Sequence, residues 1–162
     1  MARRKRYLED GAEYHVSSKV NRGEMIFLQA WARVLFMSIL AEAKRRYKFQ
    51  IRAFCLMSNH YHFIIKPLEG NSLSEIMRWI LSMFAIKYNE HLGIHGHVWQ
   101  ERFFSRILRT IREFHDAIEY VLNNPVRARL VKDHREWKYC GLWSKLRRLL
   151  RTFTPPDARR KR

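Results

Sequence analysis

An α+β fold, an antiparallel sheet with helices packed on one side, is what this sequence predicts. Three observations carry that expectation. Segments of alternating or continuous apolar character that read as strands are interleaved with longer segments of helical periodicity. Two of the strand segments are separated by only a couple of turn residues, which fits a hairpin and not a parallel crossover. The chain has 162 residues, enough for one domain to bury its own core without disulfide or metal staples.

Taken in order, AEYHVSSKV (residues 12–20) alternates roughly and carries β-branched residues, so it reads as the first strand, and the NRG after it is a turn signal. Between Leu28 and Tyr47, apolar residues at Trp31, Leu35, Ile39 and Leu40 recur at helical spacing. FQIRAFCLM and HYHFIIKP follow as two strands joined at Ser58 and Asn59, closed by Pro67 and EGN. Ser72 or Ser74 caps a second helix that runs to His91, with Ile76, Trp79, Ile80, Met83 and Phe84 as its apolar stripe and Gly93 as its stop. The loop GIHGHVWQER leads into a strand, FFSRILR. A third helix, REFHDAIEYVLNN, is stopped by Pro125, because proline disfavours helical backbone in the residue before it. Beyond Trp137 the text changes: LWSKLRRLLRTF is a basic amphipathic helix and TPPDARRKR a charged tail whose composition favours disorder. The expected division is a domain over residues 1–140, then the basic helix and tail over 141–162.

Charge narrows the function. Lys and Arg number 32 against 15 Asp and Glu, a formal net charge of +17 at pH 7. Such a field attracts polyanions, and arginine's planar fork donates two hydrogen bonds to one phosphate, so nucleic acid is the favoured partner over a merely solubilising surface. The 2 cysteines form no CxxC, which argues against a disulfide framework or a zinc ribbon and points to a reducing cytoplasm. The basic N-terminus runs into Glu9 and Asp10 where a signal peptide would be apolar, and no membrane-length apolar run follows. Neither secretion nor a membrane span is expected; the basic helix lying on a membrane surface is the one membrane role left open.

Chemistry concentrates in HYHFIIKP. Residues i and i+2 of a strand share a face, so His60, His62 and Ile64 point one way and Tyr61, Phe63 and Ile65 the other. The second set belongs under the helices, which leaves two imidazoles on the open face, close enough to share one ion. The bland alternative is a pair of ordinary, partly exposed histidines. His95 and His97 have the same spacing but sit in a loop without fixed alternation. A metal held by two imidazoles needs a further ligand, and Tyr120, Asn123 and Asn124 on the third helix offer some; Tyr120 and Asn124, at i and i+4, share a face. Read singly, Tyr120 could equally be a core aromatic and Asn124 a helix cap.

Together, CLMSNHYHFIIKP, GHVWQERFFSRIL and AIEYVLNNPVRARLV resemble the successive signatures of the single-tyrosine HUH transposases, specifically the REP-associated tyrosine transposases. The likeness runs from GAEYHVSSKVNRG to HREWKYC. It implies a ferredoxin-like or RRM-like sheet with the active site on its open face. It implies Tyr120 as nucleophile, His60 and His62 as metal ligands, Asn124 as a third ligand, and Mg²⁺ or Mn²⁺ as cofactor, with Tyr61 the bulky centre of the histidine triplet and packed inward. It further implies cleavage and rejoining of single-stranded DNA at REP-type hairpins, through a 5′-phosphotyrosine intermediate, by a monomer or homodimer working on the nucleoid of a bacterial cytoplasm. Asp116, one turn before Tyr120, is a candidate base.

DNA contacts are expected from Arg102, Arg106, Arg127 and Arg129, which flank the motifs, from Arg3, Arg4, Lys5 and Arg6 and the basic tail as phosphate contacts, and from Trp99 and Phe103 as stacking platforms. The alternatives are a catalytically silent protein that binds hairpin DNA on the same fold, and an RNA-binding module, which would call for aromatics where this chain places histidines.

Overall fold

The computed structural model describes residues 7–153; the expected phosphate contacts at Arg3, Arg4, Lys5 and Arg6, and the tail from residue 154, lie outside the described residues. Strands β1 (Glu13–Lys19), β2 (Phe49–Leu56), β3 (His60–Pro67), β4 (Phe104–Leu108) and β5 (Cys140–Leu142) form one antiparallel sheet in the order β4-β1-β3-β2-β5. Helices α1 (Ala30–Arg46) and α2 (Leu73–Leu92) connect the first four strands in a βαββαβ order, the ferredoxin-like arrangement. The fold is the α+β class that the sequence predicts.

Alternation in β3 sorts its side chains. Tyr61, Phe63 and Ile65 are fully buried in the main core with Phe36, Met37 and Leu40 of α1 and Ile76, Ile80 and Phe84 of α2. Phe36 lies 5.3 Å from the Tyr61 ring and 5.7 Å from that of Phe84, ordinary spacings for aromatic pairs. The buried Tyr61 hydroxyl meets Ser18 Oγ at 3.0 Å, so its polar end is satisfied inside the core. At the head of α2, Ser72 accepts a hydrogen bond from the Glu75 backbone N–H, and Gly93 ends the helix at φ +64°, a left-handed conformation that glycine takes without strain.

Helix α3 (Ile111–Leu122) lies on the opposite side of the sheet. Its start is fixed by Thr110 and Glu113, each side chain bonding the other's backbone N–H. It buries Ala117 and Val121 against Ala53 and Cys55 of β2, Ile64 of β3, Leu108 of β4 and Cys140 of β5. The second face is therefore not bare: a small core under α3 occupies part of it. Pro125 does not simply stop the chain's helical course. A short helix α4 (Asn124–Arg127) begins there with proline in its first turn, where the missing N–H costs nothing. Asn123 donates to Glu119 O and Arg127 to Asn123 O, so the helical rotation carries across the junction.

The basic helix α5 (Trp143–Thr152) spends its apolar stripe on the protein itself, burying Leu146 and Leu150 in the main core and leaving Arg147 and Arg148 exposed. Its apolar side is thereby taken from a membrane surface. Among the described residues, no helix is long and apolar enough to cross a membrane.

Candidate active site

Strand register gathers the site. On the second face, β1 pairs Ser17 with His62 and Lys19 with His60, and β4 pairs Phe104 with Ser17 and Arg106 with His15. His60 and His62 stand with ring centroids 5.1 Å apart. Tyr120, on α3, is brought above them, 5.5 Å from the His62 ring. Asn124 follows it one turn later, 7% exposed, with Oδ1 3.3 Å from His60 Nε2. All four residues that the family resemblance singled out thus meet at one place, and they do so within one chain.

A third histidine joins them. His15 Nε2 lies 2.9 Å from His62 Nδ1, and the His15 ring is 5.6 Å from Tyr120. Burial pushes His62 down to about 3, helped by the neighbouring His15, His60, Arg127 and Lys19. Burial likewise pushes His15 down to about 4, with Arg106 adding to it. His60 is lowered too, again chiefly by burial, against a partly restoring contact with Asn124. At neutral pH all three rings are uncharged, the state in which imidazole can bind a metal.

The donor set can be tested against a divalent ion. His60 Nδ1 lies 2.8 Å from Asn59 Oδ1, an acceptor that suits a ring proton on this nitrogen. Nε2 of the neutral ring is then a lone pair, and it faces Asn124 Oδ1, another lone pair, at 3.3 Å. Two acceptors converging with no proton between them are what a shared cation satisfies. At the bond lengths of octahedral magnesium, adjacent ligand atoms lie about 3 Å apart. The fit to such an ion is sparse: among the described residues no group of three His, Cys, Asp or Glu is placed to hold one, and the oxygen beside His60 Nε2 is the Asn124 amide oxygen.

Cations surround the pair. Arg127 lies over the Tyr120 ring, its guanidinium carbon 3.9 Å from the centroid. Arg106 and Arg129 are exposed, the latter at φ +58°. Arg102 is elsewhere, lining a cavity of about 640 Å³ beside α2 together with Arg78, Ser74 and Trp99.

Comparison with known proteins follows the same lines. The model of the family described as Transposase IS200 like matches residues 10–124. The chain belongs to that family. The REP-associated tyrosine transposase of Escherichia coli strain K12 is 23% identical to it over 137 residues, 84% of this chain and 79% of that protein. Among solved structures, a REP-associated tyrosine transposase bound to a REP hairpin superimposes with a TM-score of 0.74 at 24% identity, covering 96% of this chain and 89% of that one. Within the IS200-like transposases the chain therefore resembles the REP-associated branch, as its motifs indicate.

For this transposase, one expected stacking platform needs correction. Phe103 is buried in the main core. Trp99 packs against Phe27, Phe36, Tyr61 and Phe84, and its indole N–H donates to Leu81 O at 3.0 Å, while the half-buried ring also lines the cavity that holds Arg102. Phe104 faces outward, 55% exposed and 6.3 Å from His15. Asp116 is exposed and lies 4.0 Å from Arg112 in an i,i+4 pair. His95 and His97 are exposed in their loop. Reading the sequence overlooked His15, Lys19 and Phe104, although the alternation of the first strand, with Tyr14 and Val16 inward, already puts His15 on the histidine face.

Proposed function

We propose that this transposase cleaves and rejoins single-stranded DNA beside REP-type hairpins, with Tyr120 as the nucleophile. The observation that carries the reading is the placement of Tyr120 above His62, 5.5 Å between rings, with the His60 and Asn124 lone pairs converging beside it. A tyrosine 41% exposed over buried imidazoles, with an arginine on its ring, supports a reaction at a phosphodiester.

His60, His62 and Asn124 would hold Mg²⁺ or Mn²⁺. Bound there, the ion supplies positive charge to a non-bridging oxygen of the scissile phosphate. Because all three donors are neutral, none of that charge is cancelled by the protein. Tyr120 Oη attacks phosphorus in line: the new bond joins Oη to the 5′-phosphate, the bond to the 3′-oxygen breaks, the phenol gives up its proton and the departing 3′-oxygen takes one. Arg127 offsets negative charge as it develops at the attacked phosphate. Reversal with a different 3′-hydroxyl rejoins the strand. Phe104 offers the face on which a base next to that phosphate stacks. Lys19, Arg106 and Arg129, with the basic helix and tail of residues 141–162, hold the flanking phosphates.

The test is incubation of the protein with labelled single-stranded hairpin DNA and Mn²⁺ or Mg²⁺, read as a covalent adduct on a denaturing gel. An adduct formed by the wild type and absent in Tyr120→Phe is expected. Tight hairpin binding with no adduct under either metal would replace this reading with that of a silent binding protein.

A further inference from the structure

We infer that His15 is a positioning residue for the metal site: by accepting the Nδ1–H of His62 it fixes the tautomer that leaves His62 Nε2 free to bind a divalent cation. The inference rests on the proposal that His60, His62 and Asn124 hold that cation, and adds a residue outside the ligand set.

The argument begins with proton counting. His15 Nε2 and His62 Nδ1 are 2.9 Å apart in a buried contact, the two residues being 9% and 7% exposed. Two neutral imidazoles place one proton on that axis. If His62 Nδ1 carries it, His62 Nε2 is a lone pair and can ligate. If His15 Nε2 carries it, His62 must be protonated at Nε2 and cannot. The neighbouring histidine shows which alternative suits the site. His60 also turns Nδ1 toward a partner, Asn59 Oδ1 at 2.8 Å, and that partner can only accept. Both histidines thus point the same ring nitrogen at a supporting residue, as metal-ligating histidines do when an outer group sets their tautomer.

Sheet geometry explains how β1 supplies this partner. Ser17 is directly opposite His62, and His15 is opposite Ile64, so His15 reaches His62 on the diagonal, a span within the range of a ring side chain. Its orientation is held by Tyr120, 5.6 Å away, and Phe104, 6.3 Å away, both edge-on. A neutral supporting residue also keeps the ion's full charge for the phosphate, where a carboxylate would reduce it.

The test is Mn²⁺ affinity of the full chain without DNA, measured from the electron paramagnetic resonance signal of free Mn²⁺. His15→Leu, which keeps bulk but cannot accept a proton, is expected to bind about 10- to 100-fold more weakly. His15→Gln, whose Oε1 falls near the position of Nε2, should recover most of the loss. His60→Ala and His62→Ala serve as controls. If they lose affinity while His15→Leu stays within about 2-fold of wild type, the inference about His15 is overturned and the metal site stands. If they keep wild-type affinity, the metal site itself falls and the inference with it. Should His15→Leu fail to fold, nitrogen-15 NMR of the wild-type histidine rings decides: a proton on His62 Nδ1 supports the inference, and a proton on His62 Nε2 overturns it.

Discussion

Lowering the pH from 7.5 to 5 in the absence of metal should destabilise the fold through its buried histidines. Folding holds His15 at about 4 and His62 at about 3, against an ordinary value of 6.5 for each. A folded-state pKa below the unfolded one means that the unfolded chain binds more protons. The stabilisation is therefore complete above 6.5 and is lost as pH falls through 6.5 toward the folded values. At pH 5 the unfolded chain has gained about 2 kcal/mol per ring, a figure nearly independent of the folded pKa because both lie below 5. Two rings give about 4 kcal/mol, a large part of the roughly 5–15 kcal/mol that holds a domain folded. His60 is shifted the same way and adds to it. At about 2–4 °C per kcal/mol for a domain of this size, Tm should drop by about 8–16 °C. The assay is thermal unfolding followed by circular dichroism in EDTA across this pH range, comparing wild type with His15→Leu/His62→Leu. The double variant should lose most of the slope. An equal fall in Tm for both proteins would refute the reasoning, since the sensitivity would then lie in other groups.

Arg127→Ala should slow adduct formation by about 100-fold, the scale of losing one charged stabiliser at a reacting phosphate, with a far smaller change in hairpin affinity; single-turnover gels and a binding isotherm separate the two. Phe104→Leu should weaken single-stranded DNA binding by about 1–3 kcal/mol with little effect on Tm, whereas Trp99→Ala should cost about 3–5 kcal/mol of stability, a contrast that binding and melting curves resolve. Tyr61→Phe removes the buried hydroxyl that meets Ser18 Oγ, and should cost about 1–2 kcal/mol of stability while adduct formation continues, which distinguishes it from Tyr120.

Much of this was legible because period-2 alternation is a local property. Once HYHFIIKP is read as a strand, the sides of His60 and Tyr61 follow from sequence, and the structure places them so. What a strand's own text does not contain is its neighbour. That His15 should meet His62 depends on β1 pairing with β3 in one register, a contact 47 residues apart in sequence. In FFSRILR both parities open with phenylalanine, so the text alone does not say which ring turns inward; pairing with β1 decides that Phe104 shares the histidine face and Phe103 the core. Trp99 poses a different problem. Its residue type suits a base or a core equally, and the Leu81 carbonyl that captures its N–H lies on a helix the loop must first dock against. Strand β5 is 3 residues long, too short to show a period at all.

The division of the molecule into two cores bears on how such a site can serve both cleavage and rejoining. The proposed metal ligands His60 and His62 project from β3, whose other side is anchored by Tyr61, Phe63 and Ile65 in the large aromatic core. The proposed nucleophile rides on α3, which buries Ala117 and Val121 fully and packs the partly buried Phe114, Ile118 and Leu122 on a cluster smaller than the main core. Local opening is easier where less apolar surface is buried, so α3 is expected to open before the strand that carries the histidines, which hydrogen exchange of the two elements would show. The proposed rejoining would make use of that asymmetry. In the proposed reaction the phosphotyrosine meets, after cleavage, a 3′-hydroxyl that arrives from a different strand, and the phosphate returns to the same charges to be attacked again. A rigid ligand pair beneath a lightly anchored tyrosine helix allows the first without giving up the second.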